Sequence, residues 1–269
     1  SINDKTALNC IKTAIENGII FFDTADIYNK GEAELSLGRI FFDELKITRE
    51  DVVIASKCFW PMSQNPNDQG LSRKHVFESV HKSLKRLKTD YIDIYQCHRH
   101  DPNTPMEEIC RSFNDLILQG KLLYWGVSEW SADNIIRSQI ETNGVMAACE
   151  KYGMGEVVWS PLAQGLLSGK YSGGKIPKDS RAANEKVNHF IKDSVSNSEL
   201  LSQVDKFTEL ARSINATSAQ LALAWCLRKD NITSAITSAS KPEQVIENCG
   251  AADIDFSPAL EQQIREIFG

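Results

Sequence analysis

An α/β fold, a (β/α)8 barrel of the TIM type, is what this sequence predicts, and three observations predict it. Short apolar runs alternate with amphipathic stretches of about ten to fifteen residues, the pattern of βαβ units around a parallel sheet. Polar or titratable residues stand at the carboxyl ends of those runs, in the series Asp23, Lys57, His98, Ser128 and Ser160. In a barrel such ends converge on the one face that carries active sites. The third observation is an absence: no G-x-G-x-x-G turn follows a first strand, which weighs against an open doubly wound sheet. The 269 residues suit one barrel, and no linker interrupts the alternation, so 1–269 is expected to be a single domain.

Composition narrows the function classes. A quarter of the residues are charged and the formal net charge is -6, which argues against a nucleic-acid partner that would want a basic face. No apolar run approaches the roughly 20 residues needed to span a bilayer, so no membrane insertion is expected. Ser1–Lys5 is polar and runs directly into a helical pattern, so no signal peptide is expected either. The seven cysteines, at 10, 58, 97, 110, 149, 226 and 249, include no C-x-x-C pair. They read as reduced, mostly buried thiols of a cytoplasmic protein.

The amino-terminal half is organised around Ile19–Tyr28. Apolar positions from Asp4 to Gly18 mark an amphipathic helix, with Asp4 able to cap its start and Gly18 its end. Ile19–Phe22 then reads as a strand buried on both faces, running into Asp23, and a short polar loop delivers Tyr28. An acidic side chain at the end of such a strand needs a partner. A helix near Ala33–Phe42 leads to the strand ending at Lys57. A helix over 72–87 leads to the strand ending at His98. A helix around Pro105–Gln119 leads to a strand over Leu123–Ser128.

Two strands are missing from the series. After a helix beginning at Ser131, the chain passes directly to Gly144–Tyr152, which resembles the helix preceding the strand Glu156–Trp159. No strand precedes the first helix. A barrel with two gaps cannot close its hydrogen-bond ladder. An amino-terminal strand and one near residues 137–140 are therefore expected to belong to the protein while being absent from this sequence, with a break near Ser138.

In the carboxyl half, residues 157–171 pass from a strand into a Gly-rich turn with Lys170 behind it. Backbone amides freed by such a turn surround an anion, to which the cation adds a point charge; tight barrel loops use glycines for geometry alone, so both readings stand. Ser172–Ser198, containing Ser180 and Arg181, reads as a polar flap with few apolar anchors. Helices follow over 200–214 and over Ser218–Leu227, the latter almost wholly apolar, with Trp225 and Cys226 as core. After a strand Ile232–Ile236, Ser240 can cap a helix with Pro242 in its first turn. Loops after the last two strands of such barrels frequently bind phosphate.

With Asp23, Tyr28, Lys57 and His98 in this order, the chain resembles the aldo-keto reductases. The motifs are F-D-T-A-D-I-Y (22–28), the strand-end Lys57, Q-C-H-R-H-D (96–101), W-S-P-L-A-Q-G-L-L-S-G-K-Y (159–171) and S-K-P-E-Q-V-I-E-N (240–248). Together they span nearly the whole chain and look closest to the branch containing the potassium-channel β subunits. The resemblance implies a barrel that binds NADP and reduces aldehydes or ketones, with Tyr28 as proton donor and Asp23, Lys57 and His98 supporting it. It places Ser128 at the nicotinamide carboxamide and Ser160, Leu162, Gly165 and Lys170 at the pyrophosphate. Arg181, Ser240, Gln244, Glu247 and Asn248 fall at the adenosine and 2′-phosphate end, with Lys241 an added cation. His100 and Glu129 depart from the branch, which often has proline at the first position and arginine or asparagine at the second.

The chemistry fits these residues. Carbonyl reduction needs a hydride donor on one side and a proton donor at the oxygen. A phenol with a pKa of about 10 is a poor acid at neutral pH, and a nearby ammonium is expected to lower it. Lys57 is placed to do this, with Asp23 holding it charged and His98 fixing the carbonyl. Two other readings compete. His98-x-His100 at a strand end could be a metal pair, and a NADP-binding regulatory subunit would keep the same four residues with little turnover. The expected partners are a small-molecule carbonyl substrate and no nucleic acid, with a homo-oligomer left open.

Overall fold

The computed structural model describes residues 3–130, 153, 155–185, 187–188, 191–230 and 232–268. Within these the chain forms two compact units, Ser1–Ala148 and Cys149–Gly269. The expected strand near 137–140, the junction at Ser138, the helix beginning at Ser131 and the whole of Gly144–Tyr152 lie outside the described residues.

The first unit is a four-stranded parallel sheet in the order β1 (Phe21–Asp23), β2 (Val53–Cys58), β3 (Ile92–Cys97), β4 (Leu122–Val127). Each connection carries a helix, as parallel strands require: α2 (Glu32–Gly38), α3 (Arg73–Leu87) and α4 (Met106–Leu118), with α1 (Asp4–Glu16) preceding β1. The start of α1 differs from expectation, since Asn3, one residue before Asp4, accepts the Thr6 amide at 2.8 Å. The far end is as expected: Gly18 (φ 81°) turns the chain out of the helix with its amide on the Ile15 carbonyl at 3.0 Å. At α3, Ser72 takes the His75 amide as its position suggests. The run Ile19–Phe22 is shorter as a strand and less buried than its apolarity implies. Ile20, just before β1, is 52% exposed, and β1 is the outer strand of the described sheet.

Alternation along the strands sorts the faces. Ile54, Tyr95 and Trp125 belong to the core with Val76, Val80, Leu87, Phe113 and Leu116 from the helices, and Phe113 stacks on Trp125 at 5.0 Å. The opposite face carries Asp23, Ala55 and Lys57, in register Asp23↔Ala55 and Lys57↔Gln96. α2 lies close on α3: a Cβ on Gly38 would stand 2.6 Å from the Arg86 carbonyl oxygen.

The second unit pairs β5 (Glu156–Val158) with β6 (Ile232–Ala235), also parallel. Around them run α5 (Ser198–Ser213), α6 (Ser218–Leu227), α7 (Pro242–Cys249) and α8 (Pro258–Phe268). Thr217 and Gln220 form a capping box on α6, and Phe207, Leu221, Ala222, Leu260 and Ile264 share a core. Trp225 and Cys226 are half-buried, not core: Trp225 is covered by the Arg228 guanidinium at 3.6 Å and the Phe256 ring at 5.8 Å. The polar stretch 172–198 is better anchored than its composition suggests. Ala182, Ile191 and Val195 are buried with Leu166, Tyr171, Leu201 and Val204, and the Tyr171 hydroxyl accepts the Ala182 amide at 3.3 Å. Sparse apolar residues at the right spacing suffice to seat it.

Gly38→Ala should lower stability by about 1–3 kcal/mol, the usual result of forcing a methyl into a packed contact. Urea denaturation measures it; an unchanged midpoint would mean that α2 and α3 separate freely.

Candidate active site

Consecutive parallel strands bring their carboxyl ends to one edge of the first unit, and the four singled-out residues follow from that. Lys57 Nζ donates to Asp23 Oδ2 at 2.5 Å and to the Thr24 carbonyl at 2.8 Å. Both side chains are buried, with 6% and 8% of their surface exposed. Burial presses the pair toward neutrality, lowering Lys57 and raising Asp23, and their mutual attraction opposes it.

Tyr28 opens a tight turn in which Asn29 (φ 49°), Lys30 (φ 53°) and Gly31 (φ 93°) are all left-handed. Such a run for non-glycine residues is strained and is tolerated where the surroundings enforce it. It leaves Tyr28 43% exposed, with Lys57 Nζ 5.4 Å from its ring centroid and the His98 ring edge-on at 5.7 Å. The expectation that Lys57 lowers the phenol is reversed. Burial and then the Asp23 carboxylate raise it, Arg99 pulls it down, and Glu129 raises it further. The ammonium is turned into Asp23 and the Thr24 carbonyl, so its field at the phenol is largely offset.

His98 is fixed through its amide on the Cys58 carbonyl at 3.0 Å. Burial, Lys57 and Arg99 lower its pKa to about 4, so the ring is neutral at physiological pH. Its buried Nδ1 has no partner in the described structure. Ser128 closes the row at the end of β4, its amide on the Cys97 carbonyl at 2.9 Å.

The rim contains residues the sequence reading missed. Arg99 pairs with Glu129 at 2.9 Å, donates to the His98 carbonyl at 2.5 Å and lies 5.8 Å over the Trp60 ring. His100 packs edge-on against Trp130 at 5.2 Å. Both departures from the resembled branch therefore sit on this rim. Adjacency was the available signal, since Arg99 follows His98 and Trp60 comes shortly after Lys57. His98 and His100 face different aromatic partners, and among the described residues no group of three or more His, Cys, Asp or Glu side chains could hold a metal ion.

The anion-suited residues lie in the second unit. Ser160 (φ 53°), Ala163 (φ 45°), Gln164 (φ 60°) and Gly165 (φ 95°) are left-handed, the backbone of an amide-lined turn. Gln164, also missed, ties the set together: its amide donates to Ser160 Oγ at 2.5 Å and its carbonyl accepts from Arg181. Leu162 accepts the Gly165 amide at 2.8 Å. Lys170 Nζ lies so close over Gly165 that a Cβ there would meet it at 2.8 Å. Ser180 Oγ is buried without a partner, and Lys241 stands 4.0 Å from Asp179. Ser240 does not cap α7; the Gln244 carboxamide reaches back to accept from the Ser240 amide and hydroxyl at 2.8 and 3.1 Å. Glu247 contributes its carbonyl to Gln220, and Asn248 donates to the Thr237 hydroxyl at 3.3 Å. Cations at 170, 181 and 241, a left-handed amide turn and an unpartnered hydroxyl fit a phosphate-bearing ligand.

The sequence profile described as "Aldo/keto reductase family" matches residues 1–138 and 134–268. A "Probable voltage-gated potassium channel subunit beta" of Oryza sativa subsp. japonica is 38% identical over 289 residues, 98% of this chain and 87% of that protein. One of the same description from Arabidopsis thaliana is 38% identical over 98% of this chain and 86% of its own. A "Putative voltage-gated potassium channel subunit beta" of Schizosaccharomyces pombe is 39% identical over 96% and 83%. The 289-residue alignment is longer than the 269-residue chain, so that relative carries residues lacking here. The two profile matches meet at 134–138, around the junction at Ser138 where a missing sixth strand is expected.

Lys57→Met should strand the Asp23 carboxylate in a buried site, destabilising the protein by about 3–5 kcal/mol at pH 8. Without its partner Asp23 titrates above its unfolded value, so this loss should shrink as pH falls through that raised value and the carboxyl protonates. Denaturation at pH 8 and pH 5 measures both effects; an equal loss at the two would contradict the buried pairing.

Proposed function

The chain belongs to the aldo/keto reductase family, whose fold class is the (β/α)8 barrel, and we propose that it reduces aldehydes or ketones to alcohols with NADPH. The observation that carries this is the half-open Tyr28 phenol, set between the buried Lys57–Asp23 pair and a neutral His98. When bound, the cofactor supplies the hydride. The carbonyl oxygen is received by Tyr28, while the neutral imidazole of His98 donates one hydrogen bond that fixes its pose. The raised pKa of Tyr28 keeps the phenol protonated between turnovers. Transfer from it is favourable once negative charge develops on the substrate oxygen, because an alkoxide is a much stronger base than a phenolate. Lys57 then stands beside the phenolate left behind, and Asp23 keeps that ammonium in place.

The nicotinamide carboxamide falls to Ser128. The pyrophosphate falls to the Ser160, Leu162, Gly165 and Lys170 turn. Arg181, Ser240, Lys241, Gln244, Glu247 and Asn248 hold the adenosine end with its 2′-phosphate, Arg181 and Lys241 supplying the charge. Among the described residues no helix is long and apolar enough to cross a membrane. The free thiols of Cys58, Cys97, Cys110, Cys226 and Cys249 support a reducing, cytoplasmic setting. A second reading, a NADP-binding regulatory subunit of a channel with little turnover, is favoured by the names of the relatives. NADPH oxidation against a panel of aldehydes and ketones separates the two readings.

Tyr28→Phe should cut carbonyl reduction by roughly 10²–10⁴-fold while NADPH binding is retained; a variant keeping more than a few per cent of activity would exclude Tyr28 as the acid. Arg181→Ala should weaken NADPH roughly tenfold or more and NADH little, since a charge-assisted bond to the 2′-phosphate is lost. Fluorescence titration of both cofactors tests this, and equal loss for the two would place Arg181 away from that phosphate.

A further inference from the structure

The rim around His98 holds a cation that the proposed reaction does not use. Arg99 follows His98 directly, and its guanidinium donates to two acceptors, the His98 carbonyl at 2.5 Å and the Glu129 carboxylate at 2.9 Å. It also lies 5.8 Å over the Trp60 ring, which in turn meets the His98 imidazole edge-on at 6.5 Å. The same imidazole meets the Tyr28 ring at 5.7 Å. The guanidinium therefore stands one aromatic ring away from the side chain that fixes the carbonyl. Its field reaches both groups of the reaction: Arg99 lowers the pKa of His98 and of Tyr28, and Glu129 raises that of Tyr28.

Sheet register explains why the two charges meet. β3 and β4 run parallel with Cys97 opposite Val127, and the Ser128 amide on the Cys97 carbonyl carries the pairing past the strand ends. Arg99 and Glu129 each lie two residues beyond that matched pair. Glu129 reaches its partner from a left-handed backbone (φ 51°), which a glutamate adopts only where its surroundings enforce it. Folding gains little in return. The two side chains are 32% and 38% exposed, and an ion pair so open adds little to stability.

An unpaired arginine fork beside a carbonyl site would be a ready receptor for a carboxylate, which it binds through two parallel hydrogen bonds. Here Glu129 fills that place. Resting on the reductase reading above, we propose that Glu129 determines substrate specificity: it masks Arg99, so that uncharged aldehydes and ketones are accepted and carbonyl compounds bearing a carboxylate are turned away. Such a compound must displace Glu129 from its cation or leave its own charge beside the Glu129 carboxylate, and either costs affinity. An uncharged carbonyl compound lying along the open Trp60 ring, 38% exposed, meets neither penalty.

The test compares benzaldehyde with its meta- and para-carboxylated forms, each reduced with NADPH. Wild-type protein should favour benzaldehyde by kcat/KM. In Glu129→Gln the ratio of carboxylated to uncharged substrate should rise roughly tenfold or more, as a charge-assisted fork becomes free. Glu129→Asn, better suited to the left-handed backbone, should give the same gain. Adding Arg99→Met to either variant should abolish it. An unchanged ratio, or a gain that survives the loss of Arg99, overturns the proposal, the latter because mere removal of a negative charge would then explain it. Binding is also read without turnover, by calorimetric titration of benzoate, and of benzamide as its uncharged counterpart, into protein saturated with NADP. Benzoate should bind Glu129→Gln roughly tenfold more tightly than wild type, while benzamide distinguishes the two little. Benzoate that binds the variant no better than wild type overturns the proposal whether or not the protein turns over. Absence of reduction of every carbonyl by the wild-type protein would instead defeat the reductase reading and leave the benzoate titration to decide this one.

Discussion

A lysine ammonium and an aspartate carboxylate, buried against each other at the ends of neighbouring parallel strands, are the constraint on which the first unit depends. Asp23 lies opposite Ala55, and Lys57 lies two residues further along the same strand, so both side chains leave the sheet on one face. The lysine leans back over Ala55, fully buried and too small to obstruct it, to reach the carboxylate. A slip of one residue in this register would send one of the two charges to the opposite face and leave both unpaired. The opposite face of β2, where Ile54 joins the hydrophobic core, therefore also protects the chemistry. The same edge places His98 and Tyr28, whose rings meet at 80° beside the ion pair.

Much of this was legible in the chain. Apolar runs terminated by Asp23, Lys57, His98 and Ser128 gave the strand ends to within a residue or two, because a charge that ends a buried strand leaves a sharp mark in the sequence. The pairing of Lys57 with Asp23 followed from the need of each for a partner. The sign of the Tyr28 shift did not follow, since it is set by burial and then by the Asp23 carboxylate, both known only from the fold. Asp26 and Glu34 fall in the predicted loop and helix, and only three-dimensional burial shows them as interior charges. Arg99, Trp60 and Gln164 act through contacts with distant segments, for which one sequence carries no period. Helix starts followed least from the sequence: at α1 Asn3 takes the role expected of Asp4, and at α7 no side chain caps the helix amides.

In the second unit the constraint is an anion-suited turn. Left-handed backbone from Ala163 to Gly165 is sustained by the hydrogen bonds of Gln164 on both sides and by α5 and α6 beneath. The segment carrying Arg181 is seated by a few buried apolar residues, so the cation is delivered from an anchored strap. Charge on the surface and order beneath it suit a ligand that is polyanionic at one end. The relatives match nearly the whole chain, and alignments of 289 and 290 residues against its 269 show that they carry residues that this chain lacks.

Isotope transfer tests the central claim most directly. The protein is mixed with a panel of aldehydes and ketones and NADPH carrying deuterium at the transferred position, and the alcohols formed are examined by mass spectrometry. The account predicts alcohol bearing one deuterium on the former carbonyl carbon, at a rate that requires the protein. Cofactor bound but unconsumed with every carbonyl, or alcohol formed without the label, would contradict it.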